Sequence, residues 1–317
     1  MALVHPDRRA VGLGLLAGAL TMPGLARAQM HEPARVTRID PADTVSEGLS
    51  DEVLAASSDV ANRVTVPVTV NGRGPFPFIV DTGSTTTVMS EVLAAQLSLP
   101  RAGSLLVKAA TGPAQSLAVH VDSLDVGHRR LADLHTPVLA RSNLGGLGLL
   151  GLDAVASQRL VMDFQKKQML LTASTRRGED PTAITVHAKS KYGQLLLVDC
   201  TVEGMPLYVI LDTGSELTLG NLTMRSMLMR YRAEYEVEVT GVVGDAVRAP
   251  IGQLRSLDIG DVNVTDMGIA YADLYVFDQF GLREKPAMLL GMNILRRFSR
   301  VSADFPAREV RFTIADA

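Results

Sequence analysis

Phe78-Ile79-Val80-Asp81-Thr82-Gly83-Ser84 and Val209-Ile210-Leu211-Asp212-Thr213-Gly214-Ser215 are two copies of one pattern. Each is an apolar run that ends in Asp-Thr-Gly-Ser. An apolar run of this length followed by a glycine-bearing turn reads as a buried strand delivering an Asp at its end. One such carboxylate is usually just a polar turn after a strand. Two in matched settings, 131 residues apart, predict two halves that bring their carboxylates face to face.

The flanks repeat in the same order. Ser123-Leu124-Asp125-Val126-Gly127 matches Ser256-Leu257-Asp258-Ile259-Gly260. Leu149-Leu150-Gly151-Leu152-Asp153 matches Leu289-Leu290-Gly291-Met292-Asn293, and Asp163-Phe164 matches Asp304-Phe305. The offset grows from 131 to 133 to about 140, which predicts a duplicated unit of about 120 residues with loop insertions in the second copy. The segment 272–286 is the expected main insertion. Two units of this size make a fused pair rather than a solenoid.

Between the landmarks the pattern is that of strands. Val64, Val66, Val68 and Val70 alternate with polar residues or proline, and Pro67, which cannot donate to a ladder, predicts that this strand lies at an edge or faces outward there. Asn71-Gly72 marks a turn. Further strands are expected over 105–110, 117–124, 137–140, 160–164, 169–172, 195–202, 207–211 and 235–243. Short helices are expected over 90–97, with Ser90 as N-cap, over 153–160 and near 224–231. The expected divisions are a signal peptide at 1–28, an N-terminal extension at 29–58, a first lobe at 59–173, a linker at 174–190 and a second lobe at 191–317.

Composition excludes several classes. The chain has 317 residues, 47% of them hydrophobic and 21% charged, which is enough for two packed units. A net charge of −3 gives no basic footprint for nucleic acid, and 4% aromatics without Trp gives no base-stacking platform. Cys200 is the single cysteine, so neither an internal disulfide nor a cysteine metal cluster is possible; its strand setting reads as a small buried hydrophobe. There is no H-E-x-x-H, G-x-S-x-G or P-loop. Gly146-Leu147-Gly148-Leu149-Leu150-Gly151 formally fits a dinucleotide fingerprint, but it lacks the strand–turn context and the acidic residue about 20 positions on. The six His are scattered. His120, His128 and His135 lie near one another in sequence, but not at helical ligand spacing, and read as surface or core histidines. No metal and no cofactor is expected.

The N-terminus carries Arg8-Arg9, an apolar stretch from Ala10 to Leu20 and a small-x-small cleavage signal at Ala26-Arg27-Ala28. This predicts export to a periplasm or beyond, by a plain secretory or a twin-arginine route, with a mature start near Gln29 and no stable membrane span afterwards. A secreted chain without disulfides favours the periplasm.

The doubled Asp-Thr-Gly-Ser, each after an apolar strand and each followed later by Leu-Leu-Gly and a short helix, resembles the pepsin/retropepsin-type aspartic peptidases. The resemblance is closer to the bacterial retropepsin-like members and spans 64–172 and 193–313. It implies an all-β, bilobal acid-protease fold of two related β-barrel lobes with short helices and the active site between them. It implies an aspartic endopeptidase acting on peptide or unfolded protein, and a monomer built as an internal pseudo-dimer. Asp81 and Asp212 would share a proton and activate a water. Thr82 and Thr213 would bond across to the other lobe's loop. Gly83 and Gly214 would make the turns, with Ser84 and Ser215 donating to the outer carboxylate oxygens. Leu149-Leu150-Gly151 and Leu289-Leu290-Gly291 would back the loops. Hairpin flaps would turn at Thr111-Gly112 and Val243-Gly244; neither carries the Tyr of pepsin flaps. The alternative on the same fold is an exported peptide-binding or scaffold module without turnover.

Overall fold

In the computed structural model the residues described are 36–38, 52–55, 57–58, 64–127, 129–174, 182–228 and 235–314. The expected signal peptide, most of the 29–58 extension, His128 and linker residues 175–181 lie outside them. Three short strands come from the extension: β1 (Val36–Arg38), β2 (Glu52–Ala55) and β3 (Ser57–Ser58).

The first lobe begins with β4 (Val64–Val70) and β5 (Arg73–Val80), followed by β6 (Val88–Ser90) and α1 (Glu91–Gln96). Then come β7 (Arg101–Lys108), β8 (Pro113–Val126), β9 (Arg129–Leu139), α2 (Arg141–Leu144), β10 (Gly148–Leu150) and α3 (Leu152–Val155). Strands β4, β5, β10, β6, β9 and β8 pair in that order, and β8 closes back on β4. This is a six-stranded barrel, which removes the free edges an open sheet would expose. Strand β4 is paired on both sides rather than lying at an edge, and Pro67 falls at a gap in the pairing on one of them. On that side β4 pairs with β3 as far as Thr65 and with β8 from Thr69, so the missing N–H costs no ladder bond.

Two strands, β11 (Arg159–Asp163) and β12 (Gln168–Thr172), lead through β13 (Ile184–Lys191) into the second lobe. That lobe repeats the plan: β14 (Gln194–Val202), β15 (Met205–Leu211), β16 (Leu219–Gly220), α4 (Leu222–Met227), β17 (Tyr235–Thr240) and β18 (Ala246–Ile259). It continues with β19 (Val262–Tyr271), α5 (Tyr275–Gln279), β20 (Ala287–Leu290), α6 (Met292–Leu295), β21 (Arg300–Asp304) and β22 (Glu309–Thr313). Strands β14, β15, β20, β16, β19 and β18 close the second barrel in the same order. The expected insertion at 272–286 contains α5.

Helix α1 starts where Ser90 predicted: its hydroxyl accepts from Leu93 N at 3.2 Å. The expected helix over 153–160 is only the four residues of α3, because Arg159 and Leu160 already belong to β11. Helix α4 is capped by Asn221, whose side chain accepts from Met224 N at 2.8 Å, and so starts before Met224. The strand pairing expected around Ile184 to His187 within the linker is present: β13 pairs with β22 over those four residues. Among the described residues no helix is long and apolar enough to cross a membrane.

The lobes share a sheet in the order β13-β22-β21-β11-β12-β2. At its centre β11 and β21 run antiparallel with Arg159 opposite Asp304, Val161 opposite Ser302 and Asp163 opposite Arg300. The two ion pairs are images of each other: Arg159 Nε to Asp304 at 3.2 Å and Arg300 to Asp163 at 2.9 Å. An approximate twofold relation therefore passes between these strands.

Asp163 reports on this clasp. Burial alone raises its carboxyl, but the Lys166 N–H and the Arg300 guanidinium outweigh that and hold it below the ordinary carboxylate range. Its folded pKa is depressed, so its stabilisation is full above the unfolded value of about 3.9 and is lost as pH falls through the folded value. Arg300→Ala is expected to lower the unfolding midpoint at neutral pH. The gap to the wild type should close below about pH 4. A gap that persists unchanged in acid would remove Asp163 from the account.

Candidate active site

Each Asp-Thr-Gly-Ser loop follows a central barrel strand that pairs in parallel with the strand of its Leu-Leu-Gly segment. In the first lobe β5 pairs with β10, and Asp81 N donates to Leu150 O at 3.0 Å. In the second, β15 pairs with β20, and Asp212 N donates to Leu290 O at 3.1 Å. The fingerprint-like glycines are packing residues: a Cβ on Gly148 would strike the Phe78 ring, and one on Gly151 would strike the backbone of Thr86. Gly291 stands in the same way against Leu217.

The two threonines tie the loops together. Thr82 Oγ1 donates to Leu211 O at 2.9 Å and accepts from Thr213 N at 3.1 Å. Thr213 Oγ1 donates to Val80 O at 2.7 Å and accepts from Thr82 N at 3.0 Å. Four buried bonds related by the twofold fix one loop against the other. Both hydroxyls are fully used, as buried polar groups require.

The carboxylates meet across that junction. A Cβ on Gly83 would lie 2.7 Å from Asp212 Oδ1, and a Cβ on Gly214 would overlap the Asp81 carboxyl. Only glycine lets the opposing carboxylate come so near. Asp81 and Asp212 are each 8% exposed and line a common cleft of about 270 Å³. Asp81 Oδ1 accepts from Gly83 N at 2.8 Å and Ser84 N at 3.1 Å; Asp212 Oδ1 accepts from Gly214 N at 3.0 Å and Ser215 N at 3.2 Å.

The serine hydroxyls do not donate to the carboxylates as expected. Ser84 Oγ donates to Thr86 O at 2.8 Å and Ser215 Oγ to Leu217 O at 2.7 Å, so each closes the turn after the loop. A hydroxyl has one proton, and here it is already given. The serines serve the carboxylates through their backbone N–H groups instead.

A second tier escaped the sequence reading. The Asp153 carboxylate accepts from Thr87 N and Thr87 Oγ1, the latter at 2.7 Å, and Thr87 Oγ1 in turn accepts from Gly151 N. Asn293 and Thr218 repeat this, with Thr218 Oγ1 to Asn293 Oδ1 at 2.8 Å. The signal was present as a Thr three residues beyond each Gly-Ser and an Asp or Asn two beyond each Leu-Leu-Gly. Gln194, at the start of β14, also donates to Gly83 O across the lobes.

The candidate flap residues occupy hairpin turns over the cleft. Ala109 N donates to Gly112 O between β7 and β8, and Gly241 N to Asp245 O between β17 and β18. Thr111 lines the cleft together with Gly241 and Val242. Gly112, Val243 and Gly244 belong to the turns. The tips touch: Thr111 Oγ1 donates to Asp245 Oδ1 at 2.7 Å. Each tip also reaches the other lobe. Val242 and Val243 pack against the first-lobe cluster of Ile79, Val88, Leu139, Leu144 and Leu149, while Ala110 O accepts from Val276 N at 3.1 Å. Neither tip carries a Tyr; the cover is made of Thr111 and Gly112 from the first turn and Val242, Val243 and Gly244 from the second. A second cavity of about 340 Å³, bordered by Lys108, Tyr192, Gln194 and Phe280, reaches Asp212 and Gly83.

Cys200 is buried in β14. Burial, with Asp199 and Asp258 nearby, pushes its thiol up to about 12, so it is no nucleophile.

Two closed barrels that each present an Asp loop to a shared cleft define the class: a two-lobed acid-protease fold. Residues 66–157 match a family described as "gag-polyprotein putative aspartyl protease", and residues 198–294 match the aspartyl protease family. The chain carries two retropepsin-like aspartyl protease domains in tandem. The curated proteins compared with it contain no match.

Proposed function

We propose that this chain is an aspartic endopeptidase that cleaves peptide bonds with a water held between Asp81 and Asp212. The observation that carries the proposal is the mirrored pair of loops, each carboxylate packed on the other's glycine. Two carboxylates so close cannot both ionise freely, and they share one proton, as in aspartic proteases generally. The ionised member takes a proton from the water as its oxygen attacks the scissile carbonyl carbon. The protonated member donates to the carbonyl oxygen. The tetrahedral diol then collapses: the C–N bond breaks, and the leaving nitrogen takes a proton from the dyad. No covalent enzyme intermediate forms. The backbone N–H groups on the Oδ1 atoms hold both carboxyls in one orientation throughout.

An extended peptide suits the cleft. The apolar side chains of Val88, Leu149, Leu219 and Leu289 border it, and the flap hairpins supply backbone groups above it. Both lobes come from one chain, so a monomer is complete, and the N-terminal signal directs it out of the cytoplasm.

The test is cleavage of a peptide library by the mature protein across about pH 3 to 8, with and without pepstatin. The expected result is cleavage within peptides that this inhibitor suppresses, its hydroxyl standing where the dyad would hold the tetrahedral intermediate. Peptide binding without any product at any pH would overturn the proposal in favour of a binding module.

A further inference from the structure

Strands β8 and β9 carry a feature that the carboxylate dyad does not use. His120-Val121-Asp122 on β8 faces Asp133-Leu134-His135 on β9. The register pairs His120 with His135 and Val121 with Leu134. Side chains alternate along a strand, so Val121 and Leu134 turn to the barrel core while the two His and two Asp share the outer face. These histidines lack helical ligand spacing. The relevant spacing is that of an antiparallel pair, H-x-D against D-x-H.

The distances fit a ligand set. The His120 and His135 rings lie 5.8 Å apart, edge to face. One ligand atom from each of His120, Asp133 and His135 lies within 4.8 Å of the others. Asp133 Oδ1 is 3.6 Å from His120 Nδ1, while the other ring nitrogen, Nε2, is 3.1 Å from Asp122 Oδ1. A carboxylate on the far nitrogen is the usual means of fixing the tautomer and orientation of a metal-bound imidazole. Asp133 and Asp122 thus stand on the two ring nitrogens of His120, one on the side of His135 and the other behind the ring.

We propose that His120, Asp133 and His135 bind a divalent transition-metal ion of the zinc type, with Asp122 orienting His120. Two imidazoles and a carboxylate select such ions over calcium or magnesium, which take oxygen ligands. Four-coordinate zinc needs ligand atoms roughly 3.4 Å apart, from bonds of about 2.0–2.1 Å. Asp133 is 86% exposed on its side chain and His120 31%, so small rotations close the set and solvent supplies the fourth ligand. The ion would pin β8 to β9 on the strand that leads to the first flap.

The test uses the full mature chain, stripped with a chelator, desalted and titrated with zinc chloride by calorimetry. One saturable equivalent is expected. His120→Ala, His135→Ala and Asp133→Asn should each weaken it at least about tenfold, and Asp122→Asn should weaken it with the stoichiometry kept. Unchanged binding in the His120→Ala/His135→Ala variant would overturn the site, as would calcium binding as tightly as zinc. A readout on the unmutated chain guards against misfolded variants. Zinc should protect His120 and His135 from diethyl pyrocarbonate, and equal modification with and without zinc sinks the proposal.

Discussion

Asp81→Asn is expected to lower cleavage of an unfolded-protein substrate by at least about 10³-fold, and Asp212→Asn by as much. A dyad that serves as both acid and base gives up both roles when either member changes, and each role alone is worth roughly 10²–10⁴. Asn keeps the carboxyl shape and an oxygen acceptor. Its Oδ1 can still take the N–H bonds of Gly83 and Ser84, or of Gly214 and Ser215. The four threonine bonds between the loops involve neither carboxylate. The unfolding midpoint should therefore hold while activity disappears. Nothing in the mirrored hydrogen bonds makes one Asp the specialised partner, so the two losses should agree within about an order of magnitude. A variant that keeps a tenth of wild-type turnover would end the shared-dyad mechanism, and a large drop in midpoint would mean that fold rather than chemistry was tested.

What the sequence made legible here was whatever repeats locally. Asp-Thr-Gly-Ser after an apolar run specifies strand, turn and carboxylate within seven residues, and Leu-Leu-Gly lies at the same point of each unit. Two copies imply a twofold, and the twofold implies that the loops meet. Features that depend on direction or on distant pairing were not legible. The Ser84 hydroxyl has several acceptors within reach, and only the folded turn selects Thr86 O. Helix α2 has no side-chain cap and only four residues, so nothing in its sequence announces it. Strand β11 looks like the closing strand of its own lobe, yet its neighbour β21 comes from the other. Local pattern sets which face of a strand is buried, but not which strand lies beside it. The contact between Thr111 and Asp245 belongs to the same kind: two turns 134 residues apart, joined only by the fold.

Arg159→Ala is expected to cost about 3–5 kcal/mol of stability, the typical loss when one member of a buried ion pair is removed. Asp304 is 1% exposed, and Arg159 9%. Asp304 Oδ1 accepts from Ala307 N at 3.0 Å, which holds the β21–β22 turn, while Oδ2 faces the Arg159 guanidinium. Without the guanidinium this carboxylate stays buried in the middle of the sheet that joins the lobes and loses its counter-charge. The midpoint should fall by roughly 5–8 °C. The mirror pair sets the control. Arg300 is 38% exposed on its side chain, so water replaces much of what Arg300→Ala removes, and its loss at neutral pH should be clearly smaller. Changing both partners, Arg159→Met with Asp304→Leu, removes the buried charge altogether. That variant should recover most of the loss, short of the bond to Ala307 N. The comparison separates two accounts of how the halves stay together. If Arg159→Ala costs no more than Arg300→Ala, the backbone ladder between β11 and β21 carries the junction and the ion pairs only set its register. If it costs several times more and the double variant restores it, the buried charge pair makes the docking of one lobe on the other specific. That docking is what brings Asp81 to Asp212.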